Sequence, residues 1–202
     1  MRPKYFYAIV IVLFLTVVNE VVVVPYVKAN KLFNRNIAYN VFSIIDMTGW
    51  FYVFFKIHAL DKKRRSWISW GAFLCFVYSG IELSMSGGWK NLHPNSFRIY
   101  NVVIILSCMS YFNLMMKREY HNFLNDQVFW VCSACFLFHL IFFINITTLA
   151  ENSYWKVKDA DQIFNILNNV ANSCYYLLLC TAFLICSYKR RLNHQAFHQI
   201  SS

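Results

Sequence analysis

Six times along this chain an apolar run long enough to cross a bilayer ends in a short polar break. The runs cover roughly residues 5–25, 38–59, 67–87, 99–116, 127–149 and 162–188. A helix needs about 20 mostly apolar residues to cross a hydrocarbon core. Lipid offers the backbone no hydrogen-bond partners, and an open sheet edge has no way to satisfy its own, so helices are the default. The short breaks favour antiparallel neighbours. The expected fold is therefore all-α, a polytopic six-helix transmembrane bundle. Residues 1–188 would form one membrane domain and 189–202 a basic cytoplasmic tail.

Charge supports this reading. Only 14% of the 202 residues are charged, against about 25% in an ordinary soluble domain. Too few charges remain to cover a globule in water, and no stretch is left over for a soluble catalytic domain. The aromatic content of 19% suits side chains placed at headgroup level. The net charge of +10 sits between the apolar runs, so direct nucleic-acid binding is not expected. One side holds Arg2, Lys4, Lys56, Lys62, Lys63, Arg64, Arg65, Lys117, Arg118, Lys189, Arg190 and Arg191. The other holds Lys28, Lys31, Arg35, Lys90, Arg98, Lys156 and Lys158. The positive-inside rule then places the first side, with both termini, in the cytoplasm. A competing reading makes the first run a cleaved signal peptide. That run is longer than a usual signal core and contains Glu20.

Within the runs an aromatic–Asn–aliphatic triplet recurs: Tyr39-Asn40-Val41, Tyr100-Asn101-Val102 and Phe164-Asn165-Ile166. An aromatic pair follows each Asn by ten residues: Trp50-Phe51, Tyr111-Phe112 and Tyr175-Tyr176. A polar residue precedes each by about twenty: Glu20, Glu82 and Asn145. Three tandem helical hairpins would produce this pattern. Helix capping by Asn and an aromatic belt would explain each triplet singly.

Glu20, Asp46 and Glu82 are carboxylates inside apolar runs. Each costs about 2.5–3.5 kcal/mol at mid-membrane on insertion scales, so such groups normally face the bundle interior. With His139, Asn145, Asn165, Asn169 and Asn172 they would fall in the outer half of the bilayer, with Asn168 beside them. Two readings follow. One is an outward-facing polar cavity that takes a ligand, ion or proton. The other is interhelical glue, at about 0.6 kcal/mol per hydrogen bond. No metal-ligand spacing is present, and neither a metal nor another cofactor is expected. Cys132-Ser133-Ala134-Cys135 lies inside the fifth run and reads as packing. Buried free Cys behaves as a small hydrophobe, so no disulfide framework is expected. Phosphate loops, nucleophile elbows and zinc-protease motifs are absent, and an enzyme is not expected.

Lys62, Lys63, Arg64 and Arg65 form a basic cytoplasmic patch that would meet anionic membrane lipid and could dock a cytosolic protein partner. Glu20 in the first run, Asn36 and Tyr39-Asn40 opening a run with Asp46, and Phe129-Trp130 opening the fifth form a further pattern. In this the chain resembles small six-span inner-membrane proteins of bacteria. It is similar to the membrane sensor regions of signalling proteins and to accessory membrane proteins of antiviral, including CRISPR-associated, systems. That resemblance implies a bacterial inner-membrane sensor or regulatory module. The alternatives are a membrane effector or pore in antiviral defence, working with a cytosolic partner or as a homo-oligomer, and a small transporter.

Overall fold

A computed structural model of the chain describes residues 4–30, 35–85, 94–117, 122–155 and 160–200. Its helices are α1 (Lys4–Val18), α2 (Val24–Asn30), α3 (Arg35–Ile57), α4 (Lys62–Met85), α5 (Pro94–Lys117), α6 (Gln127–Trp155) and α7 (Ala160–Ile200). No strand occurs among the described residues. Six helical segments are long and apolar enough to cross a membrane. They are Tyr5–Val27, Asn36–Ile57, Lys62–Met85, Asn95–Lys117, Gln127–Thr148 and Ile166–Lys189. The all-helical, six-span architecture expected from the apolar runs is the one found.

The first span is not one regular helix. A π-helical turn, Asn19–Val23, joins α1 to α2, and the Val24 N–H donates to the Asn19 carbonyl five residues back. Pro25 supplies the physical reason. Proline has no N–H to donate, and its ring crowds the carbonyl four residues earlier. A wider turn immediately ahead of it accommodates both constraints.

Two segments expected as polar breaks are helical. The basic residues 62–65 form the first turn of α4, because Asp61 caps it. Asp61 Oδ1 accepts the Arg64 N–H at 3.1 Å, and Oδ2 pairs with Arg64 Nε at 2.9 Å. The sequence after Ser187 contains no Gly or Pro to end a helix, and α7 continues to Ile200.

The chain forms two compact units, one spanning Pro3–Ile104 and the other running from Ile105 onward. In the first, α1 packs chiefly on α3, and α3 also packs on α4. Phe6, Ile9 and Val12 of α1 are buried, as are Met47, Trp50, Val53 and Phe54 of α3. Gly49 lets the two helices approach: a Cβ there would overlap the Val12 side chain. Gly71 does the same between α4 and α5, where an added Cβ would lie 2.8 Å from Val103 Cγ1. In the second unit α6 and α7 pack chiefly on each other. Ala171, Tyr175, Leu179, Ala182 and Cys186 form the inner stripe of α7. They recur every three or four residues, the spacing of one helix face. Phe138 of α6 meets Tyr175 with ring centroids 4.8 Å apart. Asp126 caps α6 through the Val128 N–H at 2.9 Å and accepts the Tyr111 hydroxyl at 2.6 Å. None of the seven cysteines is in a disulfide; Cys174 and Cys180 are exposed and the other five buried.

Candidate functional site

The densest polar cluster of the first unit lies where α3, α4 and α5 meet. α5 begins with Pro94, which has no N–H, so its first free donors are the amides of Asn95 and Ser96. Glu82, near the end of α4, accepts both. Its Oε2 takes the Ser96 N–H at 2.8 Å and also the Ser96 hydroxyl, and its Oε1 takes the Asn95 N–H at 3.4 Å. A carboxylate at the positive end of a helix is favourably placed. Glu82 is buried, and its oxygens are occupied by the main chain and one hydroxyl of the next helix. Beside this cap lies a cavity of about 10 Å³ lined by Asn40, Ser43, Ser79 and Ser96, with Ile44, Leu83 and Phe97. That is the size of a single water molecule. The Ser43 hydroxyl donates to the Asn40 carbonyl at 2.8 Å. The Ser79 hydroxyl is buried and makes no hydrogen bond among the described residues.

Asp46 is half-buried. Its Oδ2 accepts the Tyr100 hydroxyl at 3.0 Å, and Trp50, one turn further along α3, is a second hydrogen-bonding partner. This bond ties α3 to α5. Replacing Tyr100 by Phe should cost about 0.6 kcal/mol and at most about 1.7 kcal/mol, the range for interhelical bonds in membranes. Denaturant titration in micelles, in a cycle with Asp46→Asn, would measure it. Coupling below about 0.2 kcal/mol would mean that the bond holds nothing together.

Glu20 lies on the exposed surface of the first span, not in the interior as its depth suggested. The π turn buries Asn19 instead. The Asn19 amide nitrogen has no close acceptor in the core, and the neighbouring Glu20 carboxylate is its electrostatic partner. Asn19 lines an apolar cleft of about 290 Å³ between the first span and α3, with Leu15, Val18, Val23, Ala38 and Phe42 among its walls. Of the repeat positions, Asn40 and Asn101 are both buried but do different work. Asn40 lines the small cavity. Asn101 Nδ2 donates to the Phe97 carbonyl of its own helix at 2.7 Å. The side chain of Asn165 lies outside the described residues.

In the second unit, buried Asn145 of α6 donates through Nδ2 to Asn168 Oδ1 of α7. Asn169 is exposed and Asn172 half-buried. Asn168, which lies beside the face expected from Asn165, Asn169 and Asn172, is the amide bonded to α6. It precedes Ala171 and Tyr175 on the inner stripe, at three and seven residues. His139 is buried, with its ring edge-on to Phe138 at 5.3 Å. Lys62, Lys63 and Arg65 are exposed at the start of α4. The Arg65 guanidinium lies over the Phe55 ring at 3.9 Å, while Arg64 is held by Asp61. Among the described residues no group of three His, Cys, Asp or Glu is placed to hold a metal ion.

Chemically, the arrangement uses Asp46, Glu82 and Asn145 to bind helix to helix. Sequence reasoning singled out those three but missed their partners Tyr100, Ser96 and, as the central amide, Asn168. It also missed Ser43 and Ser79. A signal existed for these: Asn40 and Ser43, like Ser79 and Glu82, are three residues apart and so share a helix face. Compared with protein-family models, with curated proteins and with solved structures, the chain matches none.

Proposed function

We propose that this is a non-enzymatic integral membrane protein that acts as a sensor or regulatory interaction module through its outer faces. The observation that supports the reading most is the occupancy of the polar groups. The carboxylates of Asp46 and Glu82 are each bonded to a neighbouring helix, and Asn145 is bonded to one through Nδ2, which argues against groups poised to bind and release a solute. A transporter or proton relay needs intramembrane groups that exchange partners during the cycle. The exposed, basic start of α4 is the face offered to partners. Under the positive-inside rule that face, together with both termini, lies in the cytoplasm of a bacterial cell. Its partners would be anionic lipid and a cytosolic protein.

A neutralising variant tests this. Lys62→Gln, Lys63→Gln and Arg65→Gln together spare the Arg64–Asp61 cap. Membranes carrying the native protein should retain a stoichiometric cytosolic partner. The triple variant should retain at least tenfold less while losing no more stability than the exposed Arg65–Phe55 contact supplies, about 0.5–1 kcal/mol. Solute or ion flux through proteoliposomes that falls on Asp46→Asn or Glu82→Gln at unchanged stability would replace the module with a transporter.

A further inference from the structure

The small cavity beside Glu82 has a one-sided hydrogen-bond balance. A serine hydroxyl has one hydrogen to donate and two lone pairs to accept with. The Ser43 hydrogen goes to the Asn40 carbonyl, and the Ser96 hydrogen goes to Glu82 Oε2. Neither hydroxyl therefore has a hydrogen left to donate. The third hydroxyl, on Ser79, is buried to 6% exposure, lines the same cavity and has neither donor nor acceptor among the described residues. Two spent hydroxyls that can only accept and one unspent hydroxyl that can donate surround a space of about 10 Å³. Three hydrogen bonds and about that volume are what one buried water requires.

We propose that this cavity is a binding site for a single water molecule. The water accepts the Ser79 hydrogen and donates its two hydrogens to Ser43 and Ser96. It thereby joins α3, α4 and α5 at one point and extends the Glu82 cap, since the Ser96 hydroxyl it meets is the one that binds Glu82. A sodium ion is the competing occupant of an oxygen-lined space. It would leave the Ser79 hydrogen without an acceptor, and the water does not. The site goes beyond the role proposed above, and it stands or falls independently of any partner at the start of α4.

The test is thermodynamic and spectroscopic, on the full chain in lipid. Ser43→Ala and Ser79→Ala each remove one partner of the water and should each lower the folding constant about tenfold. The double variant should lose at least fivefold less than the product of the two, because a water that has already lost one serine partner has less left to lose with the second. Strictly multiplicative losses would overturn the proposal. Water-edited solid-state NMR of the native protein does not depend on any variant folding. Magnetisation should pass from a bound water to Ser43, Ser79 and Ser96, and silence at all three would also overturn it. Stability that rises with sodium chloride but not with potassium chloride at equal ionic strength would assign the space to a cation instead.

Discussion

Glu82→Ala should destabilise the protein by about 3 kcal/mol, among the largest effects of any single polar substitution in the chain. The carboxylate accepts two backbone amides and one hydroxyl from the first turn of α5. Hydrogen bonds to a charged group contribute about 1.5–3 kcal/mol each, and a buried donor left without an acceptor costs a further 1–3 kcal/mol. These contributions share one site and do not add fully. Glu82→Gln should fall between, at about half the loss, because one amide oxygen can still accept while the NH2 group confronts donors. Ser96→Ala should cost clearly less in the Glu82→Ala background than in the native protein. Urea titration in mixed micelles would measure the series. A Glu82→Ala variant as stable as the native chain would remove Glu82 from the cap. The same series separates structure from transport. A transport carboxylate replaced by glutamine would keep its stability and lose flux, whereas the capping carboxylate loses stability first.

What could be read in advance divides along a physical line. Span number and position were legible because lipid imposes a length and a polarity on every helix, and both are local properties of sequence. The presence of polar residues in the spans was legible for the same reason. Which way each one points was not. Glu20 and Asn19 are neighbours, and the π turn ahead of Pro25 decides which is buried. A regular 3.6-residue period cannot anticipate that shift. Asn165, Asn169 and Asn172 share a helix face in projection, yet Asn168 lies toward α6 because the inner stripe of α7 is set by Ala171, Tyr175 and Leu179. Glu82 looked like a site residue by depth. Its role depends on Pro94, twelve positions later, which starts a helix whose free amides need an acceptor. Contacts of this kind are set by tertiary packing, and periodicity within one helix carries no trace of them. The serines around the water-sized cavity were easiest to overlook, since a serine in a membrane helix usually bonds to its own backbone. Ser43, Ser69, Ser84 and Ser173 do that here, and Ser79 and Ser96 do not.

Gly49 and Gly80 should respond to the same substitution with opposite signs. A Cβ at Gly49 would overlap the Val12 side chain across the α1–α3 contact, the main helix pairing of the first unit. Alanine in a helix gains about 1 kcal/mol over glycine. Overpacking a well-filled contact costs about 1–3 kcal/mol, so Gly49→Ala should be net destabilising by up to about 2 kcal/mol. Gly49→Val, with two more carbons in the same space, should lose about 3 kcal/mol. Val12→Ala removes the carbons that collide and should recover most of the Gly49→Ala loss, although alone it leaves a small void and destabilises. A Cβ at Gly80 meets nothing within 4 Å, and Gly80→Ala should stabilise the chain by up to about 1 kcal/mol through helix propensity alone. Thermal unfolding of the five variants in one detergent would decide the matter. Should Gly49→Ala stabilise as Gly80→Ala does, close approach at Gly49 would not be what joins α1 to α3. The first unit would then depend on its buried aromatic and aliphatic side chains, Phe6, Ile9, Trp50 and Phe54, for that contact.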